Sequence, residues 1–224
     1  MKKFLGKAFI ILWKDILSEL RTRDIAMSVL VFALLVIVIF NFAFESGTEQ
    51  KELVAPGILW VSFTFAGVLS LGRSFVLEKE KGCLEGLMLC PVDRAVIYLG
   101  KMLGSLIFML VVEAIVFPIF LMLFDLPLFA PMLGLIAILA TVGFVSVGTL
   151  FSAIAVNTRA REVMLPILFF PVVTPVIIAA VKATGVVLEG GLWSDISSWL
   201  LVLAAFDIIF LIVSALVFEL ILEE

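Results

Sequence analysis

The chain has 224 residues, 64% of them hydrophobic and only 15% charged, far from the soluble mixture of about half apolar and a quarter charged residues. That composition is of an integral membrane protein and argues against a soluble globule. The formal net charge of −4 carries little information beside its distribution, and the two cysteines, Cys83 and Cys90, fit neither a redox CxxC pair nor a zinc pattern.

Residues 1–25 are amphipathic. On a helical wheel Leu5, Phe9, Leu12, Trp13, Ile16, Leu17 and Leu20 share one face, opposite Lys3, Lys7, Lys14, Ser18 and Arg21. Such a helix suits the inner interface, cations toward anionic head groups. Two compatible roles stand open: an anchor on the bundle, or an elbow that passes tilt from a partner to the first span.

The first span, "AMSVLVFALLVIVIFNFAF" (26–44), has no charge over 19 residues, close to the ~20 that cross a ~30 Å hydrocarbon core. "ESGTEQ" follows it instead of a small-residue cleavage site, which predicts a retained helix and not a signal peptide. Further spans are predicted at 54–77, 102–124, 128–156, 163–183 and 198–220. The runs lack the alternation of a membrane barrel. The predicted fold class is therefore an all-α integral membrane protein, one domain over 1–224, with an interfacial elbow helix and six transmembrane helices.

Thirteen of the fifteen Lys and Arg residues fall in the N-terminal segment and the second and fourth connections, leaving only Lys51 and Lys182 on the other side. The positive-inside rule then makes both termini cytoplasmic. Trp193 and Trp199 are expected near the outer interface and Tyr98 near the inner one.

On the inner side, residues 78–95 form the largest loop. Leu84, Leu87 and Met88 follow an i, i+3, i+4 pattern between Gly82 and Pro91, predicting a helix of about two turns with one small apolar face. Such a face either enters a partner's groove or rests on lipid; the pattern leaves both open.

Inside the membrane, Glu113 and Asp207 sit near the middles of the third and sixth spans. Intramembrane carboxyls often mark function, and a structural carboxyl hydrogen-bonded across helices is the equal alternative. Asp125 belongs to the turn "DLP" and is expected in solvent. Pro166, Pro171 and Pro175 in the fifth span each remove a backbone donor, so this span bends, lines a path, or simply packs with kinks. Gly100 and Gly104 permit close helix contact, although a single small-xxx-small pair is a weak sign of dimerisation. The segment 184–197, "TGVVLEGGLWSDIS", is apolar for an aqueous loop; it either dips back as two half-turn pieces or meets an outer partner.

Two absences narrow the chemistry. Gly100-Lys101 is followed by Met102, and Ala95 stands where a P-loop needs its first Gly, so no phosphate cradle is encoded and any ATP hydrolysis falls to a partner. The chain has no histidine, which removes one common heme-iron ligand.

The segment "EKEKGCLEGLMLCPVDRAVIYLGK" (78–101) resembles the cytoplasmic signature of type-2 ABC exporter permeases. "APGILWVSFTFAGVLSLGRSFVLEKEKGCLEGLMLCP" (55–91) and "TRAREVMLPILFFPVVTPVIIAA" (158–180) are similar to the permease family of cytochrome c maturation called CcmB, or heme exporter protein B. The resemblance implies a type-2 ABC exporter permease fold. It also implies a coupling segment that docks on a CcmA-like ATPase through Glu78, Glu80, Gly82, Leu84, Glu85, Leu87, Met88 and Pro91. Further implied partners are CcmC, CcmD and the heme chaperone CcmE, with two permease copies, two ATPases and membrane lipid, but no nucleic acid. On the same footing, the chain holds no cofactor, ATP sits on the partner, and heme is handled by the wider complex in a prokaryotic inner membrane. The work done would be ATP-driven release of the heme-loaded chaperone or heme export itself. A type-2 permease for a lipid, glycan or drug is the alternative. An intramembrane protease would need Glu113 and Asp207 close together, and a secondary carrier would need no ATPase-docking loop.

Overall fold

A computed structural model describes residues 2–22, 24–44, 49–80, 82, 86, 92–126, 131–156, 158 and 161–221. Seven long helices occur among them: α1 (Lys2–Thr22), α2 (Asp24–Ala43), α3 (Glu49–Glu80), α4 (Arg94–Leu123), α5 (Pro131–Ala155), α6 (Arg161–Leu188) and α7 (Trp193–Ile221). No strand occurs among the described residues. The last six helices are each long and apolar enough to cross a membrane, as expected of helices that satisfy their own backbone groups in lipid.

Helix α5 is the hub, touching α3, α4, α6 and α7. Of its apolar span 72% is buried, against 22% for α2 and for α7. Small residues explain the difference. Gly143, Ser146, Gly148, Thr149 and Ser152 are all buried on α5, and small side chains let neighbouring helices approach. A Cβ on Gly148 would stand 2.3 Å from Cδ1 of Leu71. By contrast, α2 and α7 turn Ile39, Phe42, Leu201, Ile208 and Leu216 outward, a surface suited to lipid and not to water.

The ends of the helices differ from the predicted spans. Helix α4 starts at Arg94, eight residues before the predicted 102, because its first turns are covered by α7 at Arg94 and Tyr98, by α5 at Tyr98 and by α1 at Gly100, and need not be apolar throughout. The region 184–197 is not two separate half-turn pieces. Helix α6 continues to Leu188, and a Schellman closure ends it: Gly190, at φ 76°, donates its N–H to Val187 O at 3.1 Å, and Gly191 donates to Val186 O at 2.8 Å. Asp195 Oδ2 then accepts from Leu192 N at 3.1 Å, reaching back across the first turn of α7. At the end of α4 the exposed Asp125 takes the same left-handed place, at φ 54°, while Leu126 N donates to Leu121 O at 2.9 Å.

Helix α6 runs without interruption through Pro166, Pro171 and Pro175. The carbonyls one turn earlier, at Glu162, Ile167 and Pro171, therefore lose the amide four residues on as a partner.

Packing places an aromatic side chain and an apolar arc. Tyr98 is fully buried within the bundle: its hydroxyl donates to Ser146 O at 3.0 Å, and its ring packs on Phe218. The broad apolar arc of α1 is divided. Ala8, Ile11 and Leu12 are buried against the bundle, whereas Phe9, Trp13 and Leu17 point outward. One helix thus presents a packing stripe and a second apolar stripe of the kind that enters an interface.

Candidate functional site

The segment between α3 and α4 is held at both flanks. Near the end of α3, Lys79 Nζ donates to Val156 O at 3.1 Å, just past the last residue of α5. At the start of α4, Arg94 Nη1 donates to Glu219 O at 3.3 Å, in the last turn of α7. Both cations meet helix C-termini, where carbonyls lack intrahelical partners and the helix dipole favours positive charge. Gly82, at φ 65°, follows the end of α3 and donates its N–H to Lys79 O at 3.1 Å, and Gly86 N donates to Gly82 O at 3.2 Å. Of the candidate coupling residues, Glu78 and Glu80 lie in the last turn of α3 and Gly82 just beyond it. Leu84, Glu85, Leu87, Met88 and Pro91 lie outside the described residues.

Directly downstream, α4 is seated against α1. A Cβ on Gly100 would stand 2.8 Å from Cβ of Ile11 and 3.0 Å from Ala8 O, and one on Gly104 would stand 3.4 Å from Cβ of Asp15. The small-xxx-small pair is thus used within the chain. Between the two glycines, Lys101 is 2% exposed and its Nζ lies 3.2 Å from Asp15 Oδ2, and 5.2 Å from the centre of the Phe75 ring. Lys14 Nζ stands 3.1 Å from the other oxygen of Asp15. Sequence reading missed Asp15. Its signal was available: an acid three residues after Leu12 and four after Ile11 lies on the packing face of the helix.

Glu113 is buried where α3, α4, α5 and α6 meet. Its Oε1 accepts the Thr141 hydroxyl at 2.6 Å, and among the described residues no basic side chain lines the small void beside it. On one side of this centre Trp60 Nε1 donates to Thr184 Oγ1 at 2.9 Å, tying α3 to α6. Asp207 is buried on α7 with Oδ1 facing Gly143, where a Cβ would come within 2.5 Å of it. The two carboxyls are not brought together. Glu113 meets α5 at Thr141 and Asp207 meets it at Gly143, two residues and therefore about 200° apart around the helix. A shared proton and water, as a protease dyad needs, is not built here. Among the described residues no group of three His, Cys, Asp or Glu side chains could hold a metal ion.

With this geometry described, comparison with known proteins decides the family. The family model described as CcmB protein matches residues 6–223, from within α1 to beyond the end of α7. The chain belongs to the CcmB family. Heme exporter protein B of Pseudomonas aeruginosa is 29% identical over 177 residues, 79% of either chain. Heme exporter protein B of Paracoccus denitrificans is 31% identical over 167 residues, 74% of either chain. The Rhodobacter capsulatus protein of the same name is 28% identical over 172 residues, 72% of this chain and 79% of that one. As a CcmB family member with six apolar helices of spanning length, the chain is a multi-pass membrane protein.

Proposed function

We propose that this chain is the membrane permease of a heme-export system for c-type cytochrome biogenesis, and that a separate ATPase drives it through residues 78–95. The relatives' name supports the heme-handling part. The observation that carries the coupling part is the bracketing of the segment by Lys79 on the end of α5 and Arg94 on the end of α7. A load applied there reaches the hub helix and the last helix at once, and through Gly100 and Lys101 it reaches α1. Packed elements with fixed contacts move as units, which is how a local push becomes a helix rearrangement.

In this reading Leu84, Leu87 and Met88 grip the CcmA-like ATPase, both termini are cytoplasmic, and the membrane is the prokaryotic inner membrane. Two permeases pair with two ATPases and act with CcmC, CcmD and CcmE. The work done is release of the heme-loaded chaperone, in keeping with a chain that contains no histidine to ligate iron.

The test is co-purification in detergent with the ATPase, comparing wild type with Leu84→Asp/Leu87→Asp/Met88→Asp. Loss of the ATPase from an inserted, folded triple variant is expected. Undiminished ATPase retention by that variant sinks the coupling assignment.

A further inference from the structure

Between α1, α2 and α4 lies a cavity of about 220 Å³ that none of the roles above uses. It follows α4 from Gly104 to Ile115, eleven positions or roughly 16 Å at 1.5 Å per residue. One end is polar, where Asp15, Glu19 and Ser105 meet. Ser70 joins them at the same level, because α3 passes α4 antiparallel, with Gly67 beside Met109 and Phe75 beside Lys101. Beyond that level the walls are apolar, with Leu30 of α2 facing Phe108, Val111 and Ile115 of α4. Val111 and Ile115 are 54% and 45% exposed, so the cavity opens sideways, onto the surface that hydrocarbon would cover.

Polarity therefore runs along the helices as it runs along a lipid, head at the basic end and chain toward mid-span. With Asp15 already paired to Lys101 and Lys14, Glu19 is the acid at the polar end that selects the head. Glu19 accepts Ala26 N at 3.0 Å where α1 turns into α2. Burial pushes its carboxyl above the ordinary value, the Ala26 bond pulls the other way, and Asp24 adds repulsion. A cation beside Glu19 offsets both costs. An anionic head, or a carboxylate-bearing heme edge, would worsen them.

We propose that this cavity holds one acyl chain of an amine-headed phospholipid, with its ammonium at Glu19 and its chain along Val111 and Ile115. The lipid then fills the wedge under α1 and makes the seating of that helix depend on membrane composition. The inference stands apart from the ATPase-coupling reading and can fail without it.

The probe is native mass spectrometry of the full chain released from membranes of phosphatidylethanolamine, phosphatidylcholine and phosphatidylglycerol in equal parts. Wild type is expected to retain one phosphatidylethanolamine, preferred about tenfold over phosphatidylcholine, the scale of one hydrogen bond to a charged group. Glu19→Gln should keep a lipid but lose the preference, and Val111→Trp, which fills the cavity, should lose the lipid. Equal retention of the three lipids, or an unchanged adduct on a Val111→Trp variant of wild-type melting temperature, overturns the proposal. Should Val111→Trp fail to fold, phosphatidylethanolamine with a diazirine in its chain decides on wild type. Labels on α2 and α4 beside the cavity support the site, and labels confined to α7 sink it. Efficient disulfide cross-linking of two Ile115→Cys copies in the membrane also overturns it, because a second copy would then cover the opening.

Discussion

The seam between α1 and α4 and the centre around Glu113 each hold an acid between packed helices, and they treat it in opposite ways. At the seam Asp15 has a cation on either oxygen, Lys101 at 3.2 Å and Lys14 at 3.1 Å. At the centre Glu113 has a neutral hydroxyl, Thr141, at 2.6 Å and no basic lining among the described residues. The seam lies near the basic end of the bundle, where a charge pair can be held; the centre lies deep among four apolar helices. The difference teaches that these two acids serve different ends, ionic where α1 is clamped and neutral-partnered where α4 and α5 interlock.

The ionic seam should break hardest. Removing one member of a buried pair leaves an uncompensated charge, at about 3–5 kcal/mol. Asp15→Leu strands Lys101, 2% exposed, and is expected to cost the full amount. Lys101→Met should cost distinctly less, because Lys14 stays beside an Asp15 that is 17% exposed. The double replacement should recover most of the loss. Detergent-phase unfolding of the four proteins measures the cycle, and equal single effects would show that the pair is not what clamps α1.

Next in size is the steric half of the same clamp. Gly100→Ala drives a methyl within 2.8 Å of Ile11 and 3.0 Å of the Ala8 carbonyl, and overpacking of this kind costs about 1–3 kcal/mol. Gly134→Ala, on α5 with nothing within 4 Å, should instead be neutral or stabilise by up to about 1 kcal/mol, since alanine is the better helix residue. A destabilised Gly134→Ala alongside a silent Gly100→Ala would reverse the picture of where α1 sits.

The six spans were legible because each is an apolar run of nearly 20 residues or more, a signal set by bilayer thickness and independent of neighbours. What failed was whatever depended on a distant partner. Lys101 reads as an aqueous cation until Asp15, far earlier in the chain, is packed against it. Tyr98 carries no sign in the sequence that its hydroxyl donates a hydrogen bond to Ser146 O. The glycine pair at 100 and 104 carries no label saying whether a second copy or this chain's own α1 fills it. The candidate carboxyls Glu113 and Asp207 were found by hydropathy alone, but only the helix positions they face on α5 separate them into two sites. The apolar stripe Leu84, Leu87 and Met88, the most specific functional signal in the sequence, falls outside the described residues and rests on resemblance and on its anchored flanks.

The gentlest change is the most telling about the centre. Glu113→Gln retains a carbonyl that can accept from Thr141 and has nearly the same size, so stability should move by no more than about 0.5 kcal/mol. Glu113→Leu removes the acceptor and should cost about 1–2 kcal/mol, because Thr141 loses its cross-helix partner. If Glu113 only interlocks α4 and α5, the Gln variant should also support wild-type cytochrome c maturation and, on the coupling proposed above, wild-type ATPase stimulation. A Gln variant of wild-type stability that has lost either activity would move Glu113 from the structural class to the functional one, since the two side chains differ in the ability to ionise and hardly at all in shape.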